Sequence, residues 1–227
     1  MAALDQEVNM PDVASQLAND NRFIRKHGTQ IFAIADYSAA VPEDWFGAPD
    51  ATTGVILPIA LPEGYFNMGY ITTDGIKDAN NVSASAVNMV QDLDPVRNDI
   101  DGMTKTLDVT FGESNAWTRA LAHGIPVADW PASKTVGYEY HDGDKADFPF
   151  YRGLILTQDG VGSSRFYRVE FAYRMQVTDI ADRTLNRTDV EATGRTFTCL
   201  RDPEVGRSYT EASTGLIVAP AQAGGGS

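Results

Sequence analysis

Five consecutive residues, Gly112-Glu113-Ser114-Asn115-Ala116, follow a strand-like run and precede a helix-like one, which is the setting of a nucleophilic serine. In an α/β-hydrolase this elbow lifts the hydroxyl above a parallel sheet, and a downstream histidine takes its proton. Here Ala116 stands in place of the last glycine, and only His123 and His141 lie downstream. The flanking runs alternate as antiparallel strands do, so the fold context of the elbow is missing. A simpler reading makes Ser114 the N-cap of the helix. The acidic stretch HDGDKAD (141–147) offers Asp142, Asp144 and Asp147 to a calcium ion. It lacks the turn glycine and the bidentate glutamate of an EF-hand loop, and reads as a solvated turn. Gly160-Val161-Gly162 starts like a dinucleotide fingerprint but joins strand to strand without a third glycine. Three histidines and one cysteine at unrelated spacings make no zinc set. No catalytic residue, metal or cofactor is expected.

The elements around these residues are mostly strands. TQIFAIADYS alternates with apolar residues on both faces, which suits a strand covered on both sides. Residues 41–64 carry four prolines and read as an irregular crossover. In NMGYITTDGIKD, Met68, Tyr70 and Thr72 alternate before the run stops at Asp74-Gly75. A polar stretch from about 75 to 102 follows, with alternation at Val87, Met89 and Gln91 and a turn at Asp92-Leu93-Asp94-Pro95. TKTLDVTF returns with Leu107, Val109 and Phe111 on one face and Thr106, Asp108 and Thr110 on the other. The period then changes: Ala116, Trp117, Ala120 and Leu121 share a helical face over about 113–123, with Gly124 as C′ residue and Pro126 as stop. β-structure is expected again from Tyr138. It includes YRGLILT, RFYRVEFAYRMQV, a short edge piece RTLNRT and a last strand GRTFTCL. In the longest of these, Tyr167, Val169, Phe171, Tyr173, Met175 and Val177 are expected to face one way, toward the core rather than as a stacking platform. The sum is a mainly β domain, an antiparallel sandwich or barrel with one packed helix. The expected organisation is an N-terminal arm over 1–27, with a short helix opened by Pro11, then one domain over 28–210 and a C-terminal arm over 211–227.

The chain has 227 residues, 43% hydrophobic and 22% charged, enough apolar content for a core. Its formal charge of −13 lacks the basic footprint that grips nucleic acid. Cys199, the one thiol, sits in an apolar-threonine run and reads as a small buried hydrophobe. The first residues hold Asp5 and Glu7 without an apolar segment, so no signal peptide is expected, and no run is long enough for a membrane anchor.

Taken in order, these pieces resemble the major tail protein, or tail tube protein, of long-tailed, siphovirus-type bacteriophages. The resemblance rests on QIFAIADYS, the proline-rich crossover, YFNMGYITTDGIKD and the excursion VNMVQDLDPVRNDIDGM. It continues through the threonine-rich strand, the lone helix and the closing strands RFYRVEFAYRMQVTDIADRTLNRTDVEATGRTFTCL, over roughly residues 29–200. Where the family often has a tryptophan, this chain has Asn88-Met89. The resemblance implies a tail-tube type β domain with a flanking helix and a long projecting loop or hairpin at about 75–102. It implies a homo-oligomer, a ring hexamer, whose stacked rings form a virion conduit assembled in the host cytoplasm. Genomic DNA would pass through without specific binding, and the tape measure protein, tail terminator and distal tail protein would be partners. On this expectation Val87, Met89, Val90, Asp92, Asp94, Arg97, Asp99 and Asp101 contact neighbouring subunits or rings. Asp108 is a candidate for an acidic lumen, or else lies on a solvated outer face. The runner-up is a binding or decoration module of jelly-roll or Ig-like type on a virion surface.

Overall fold

The computed structural model describes residues 24–52, 54–92, 94–141, 148–160 and 165–214. The helix expected after Pro11, most of both arms and the acidic stretch 142–147 lie outside the described residues. The described residues fold as one antiparallel eight-stranded sheet with one α-helix. The strands are β1 Thr29–Asp36, β2 Phe66–Asn67, β3 Ile71–Val87, β4 Arg97–Phe111, β5 Tyr151–Asp159, β6 Phe166–Ile180, β7 Thr193–Leu200 and β8 Tyr209–Ser213. Their order is β2-β1-β5-β6-β7-β4-β3, and β8 pairs with β6. The helix α1 is Ala116–Ala122, followed by a single 3-10 turn at Val127–Asp129.

β1 buries both faces, as its continuous apolar run requires: Phe32, Ala33, Ile34 and Ala35 are all fully buried. Phe32 and Ile34 enter a first core with Leu107, Val109, Phe111 and Phe197. The Phe32 ring lies 5.8 Å from Phe111 and 5.6 Å from Phe197. β1 and the β4–β7 pair therefore face each other although β5 and β6 separate them in the sheet, so the sheet folds over on itself. α1 closes one end of this core, with Ala116, Ala120 and Leu121 buried and Trp117 set edge-on to Phe66 at 4.9 Å. On the opposite face, Ala33 and Ala35 leave room for Tyr65, Leu154, Phe171 and Tyr173, and the crossover covers them with Val41, Trp45, Phe46 and Leu61. The proline-rich segment 41–64 is thus an irregular lid over a second core, with one isolated bridge between Phe46 and Pro58.

Several expectations need correction. The run through Met68 and Tyr70 does not stop at Asp74-Gly75: β3 continues through it to Val87. Ile71 pairs with Phe111 and Ile76 with Val109, so four residues of β3 oppose Thr110 alone. Gly75, at φ 71°, allows that bulge without ending the strand. In β6 the expected single face is split: Tyr151 pairs with Met175 but Gly153 with Ala172, an extra residue that sends Phe171 and Tyr173 into the second core and Met175 and Val177 into the first. Ser114 does not cap α1. Asn115 does, accepting from the N–H groups of Trp117 and Thr118, with Thr118 reciprocating in a capping box. The helix is seven residues long, shorter than expected, and Gly124 follows it at φ 64°. RTLNRT is not a strand, the next strand after α1 begins at Tyr151 rather than Tyr138, and β8 reaches into the expected C-terminal arm. The buried pair Arg152–Asp202 at 3.1 Å also went unforeseen.

Candidate assembly arm

β4 pairs with β7 only from Lys105 to Phe111, whereas its pairing with β3 runs on from Lys105 to Arg97. From Thr104 outward the two strands pair, among the described residues, only with each other and leave the sheet as a hairpin about 20 Å long before its turn, at ~3.3 Å per residue. None of the described residues between 80 and 104 is buried. The excursion is therefore a paired arm rather than a loop.

Register assigns its faces. Leu107 and Val109 point into the first core, and the same side of the ladder carries Asn80 with Lys105, Val82 with Met103, and Ala84 with Ile100. Lys105 ends the core at the arm's root, its Nζ 2.6 Å from Asp78 Oδ2 and 4.1 Å from the Tyr209 ring centroid. Beyond it the apolar stripe resumes with nothing over it among the described residues: Val82 is 55%, Ile100 73% and Met103 71% exposed. The other face is polar, with Ser83, Ser85 and Asp99, and Ser85 hydrogen-bonds Asp101. A bulge makes this amphipathic. Ser83 pairs with Gly102 and Ala84 with Ile100, so Asp101 is the extra residue and Ile100 stays in phase with Met103.

The expected contact residues gather at the distal half. Val87 ends β3 opposite Arg97, and its carbonyl accepts from Val96 N–H at 3.0 Å. Met89 and Val90 lie in the turn, so Met89 does not continue the strand that its alternation with Val87 and Gln91 suggested, and Val90 is fully exposed. Asp92 and Asp94 are exposed in the same turn, and Arg97 pairs with Asp99 at 2.5 Å on the surface. Such an exposed pair contributes little to stability. Asp108 is elsewhere: it is exposed on the outer face of the sheet, opposite Lys77 on β3 and Thr196 on β7.

Sequence reasoning missed Val82, Ile100 and Met103, because Ile100 and Met103 are three apart and only the bulge restores a shared face. It also missed Glu113, read only as a neighbour of Ser114. Glu113 accepts from Tyr70 N–H at 2.9 Å, Asn115 Nδ2 at 3.1 Å and Lys134 Nζ at 2.7 Å, joining the start of β3, the cap of α1 and the following loop. Burial raises its pKa, but these three donors more than offset it and hold the carboxyl below its ordinary value. A Cβ at Gly69, which sits at φ 96°, would stand 2.3 Å from the Glu113 carboxyl carbon, so the clasp requires glycine there. Beside it a cleft of about 660 Å³ opens between the start of β1 and the β3 bulge. His27 Nδ1, Gln30 Oε1 and Thr72 Oγ1 are buried there without hydrogen-bond partners among the described residues.

The chemistry weighed from sequence finds these settings. Ser114 Oγ donates to Glu191 Oε1 at 2.9 Å, and the antiparallel sheet is not the setting of a nucleophile elbow. Burial pushes the Cys199 thiol up to about 12, with Lys105 opposing and Asp78 adding to the shift. Among the described residues no group of three His, Cys, Asp or Glu could hold a metal ion, and no helix is long and apolar enough to cross a membrane. No protein-family model matches the chain, and no curated protein matches it.

Proposed function

We propose that this chain is a structural protomer that completes itself by association, in the manner of the tail-tube proteins it resembles: rings, in that family hexameric, stacked into a conduit for DNA. The observation that carries this reading is the arm. A core-facing stripe continues past the core as Val82, Met103, Ala84 and Ile100, exposed on a hairpin that has no third strand among the described residues. An isolated two-stranded ribbon is marginal in water, and an exposed apolar stripe of this kind marks a contact surface. In an assembly both requirements are met by neighbouring copies. Charge supports the same reading: six copies of a chain at −13 bring about −78 to each ring, a field that repels phosphate instead of binding it. The threonine-rich outer face around Asp108 is the proposed lumen lining, because it is polar, with Lys77 as the cation opposite Asp108. Tape measure, terminator and distal tail proteins are proposed as partners by resemblance alone. A binding or decoration module is the second reading, favoured by the cleft and its three unpaired polar atoms.

Sedimentation velocity tests the arm's role. Wild-type protein should form large species as concentration rises, whereas Ile100→Asp and Met103→Asp should hold it at the size of the protomer with an unchanged thermal midpoint, since both positions are exposed. Assembly that persists undiminished in both variants would contradict the proposal.

A further inference from the structure

At the α1 end of the first core, β7 points two polar side chains inward. Thr193 and Arg195 lie two residues apart on one strand, hence on one face, and are only 1% and 4% exposed. Thr193 Oγ1 and Arg195 Nε have no hydrogen-bond partner among the described residues. Arg195 spends one donor on the carbonyl of its neighbour, Nη1 to Gly194 O at 2.5 Å, and no carboxylate among the described residues is in ion-pair contact with it. This is a cation in the interior with neither a counter-charge nor a full set of acceptors, an arrangement that natural cores avoid.

The surroundings bring two more guanidinium groups to this end, of which Arg183 is already paired with Glu191. Arg195 pairs with Ile180 at the end of β6, and the segment that follows brings Arg183 to the same end of the molecule. Ser114, just before α1, is tied to Glu191 on that segment, and Glu191 pairs with Arg183 at 2.9 Å. α1 contributes Arg119, whose Nη2 lies 3.2 Å from His123 Nε2. Burial, then Arg119 and Arg183, lower the Arg195 pKa to about 10, so the guanidinium stays charged at neutral pH.

We propose that Thr193 and Arg195, flanked by Arg119 and Arg183, form a binding site for an oxyanion. The hydroxyl and the Nε–H are two separate donors on one face, and a phosphate- or carboxylate-type group offers several acceptor oxygens to match them, which a halide does not. Two sources supply this chemistry, a free inorganic anion and a carboxylate of a second copy of this acidic chain.

The test is calorimetric titration of inorganic phosphate into the full chain in a chloride background at constant ionic strength. Saturable one-site binding is expected, weakened at least about tenfold in Thr193→Val and in Arg119→Gln. Arg119→Glu should supply the missing carboxylate internally, abolishing phosphate binding while raising the thermal midpoint in chloride. Phosphate bound by both dispersed and self-associated protein identifies a free anion. Binding by dispersed protein alone identifies a carboxylate donated by a neighbouring copy. Absence of saturable binding to dispersed wild-type protein, or equal binding in Thr193→Val and Arg119→Gln, would overturn the site.

Discussion

Glu113 accepts hydrogen bonds from three segments that sequence separates, so its charge state bears on how the arm is rooted. Its folded pKa is depressed below the ordinary value of 4.5. The stabilisation it contributes is therefore fully present above that value and lost as pH falls through the folded pKa. The thermal midpoint of wild-type protein should exceed that of Glu113→Gln at neutral pH, and the gap should close on acidification below about 4.5. A gap independent of pH would mean that the carboxylate's charge is not what holds the clasp. Nothing in the GESNA stretch singles out this residue from sequence, because its partners Tyr70 and Lys134 are brought to it only by the β3–β4 pairing and the loop after α1. Ser114 was misread for a related reason. Serine and asparagine cap helices about equally well, and the choice of Asn115 depends on where the chain leaves Phe111.

Among the elements, strands with clean alternation were legible and bulged strands were not. Leu107, Val109 and Phe111 face the core as their spacing requires, and β1 is buried on both sides as its unbroken apolar run predicts. Each failure traces to one extra residue or a few. The bulge in β6 exchanges the faces of Tyr173 and Met175, the bulge at Thr72–Gly75 disguises a continuous strand as a stop, and that at Asp101 hides the partnership of Ile100 with Met103. A period-2 pattern cannot register such insertions, because a slip of one residue moves every following side chain to the other face. The arm itself lends the protomer little: its residues are exposed and pair only with each other. Replacing 82–103 by an Asn-Gly turn, which joins the paired residues Asn81 and Thr104, should leave a folded β protomer that no longer self-associates. A circular-dichroism spectrum of an unfolded chain would show that the arm belongs to the fold and not to association.

At the scale of the molecule, the mainly β class and the one α-helix among the described residues were readable from element order and turn chemistry, whereas the projection expected at about 75–102 begins only beyond Asn80. That the strands form one sheet folded over on itself was not, since pairing between β1 and β5 or between β4 and β7 depends on long-range contacts that leave no local signature. The sheet and the arm have opposite economies. The body encloses two apolar cores, the second under an irregular lid, whereas the arm carries an equally deliberate alternation with no cover among the described residues. In a strongly acidic chain, mutual repulsion opposes association, so apolar stripes and strand edges must supply the attraction. Negative-stain electron microscopy of the purified chain, over a range of salt and protein concentration, tests this most directly. The account predicts rings or tubes of stacked rings with an open bore, favoured as salt screens the like charges. Small discrete particles under every condition would contradict it.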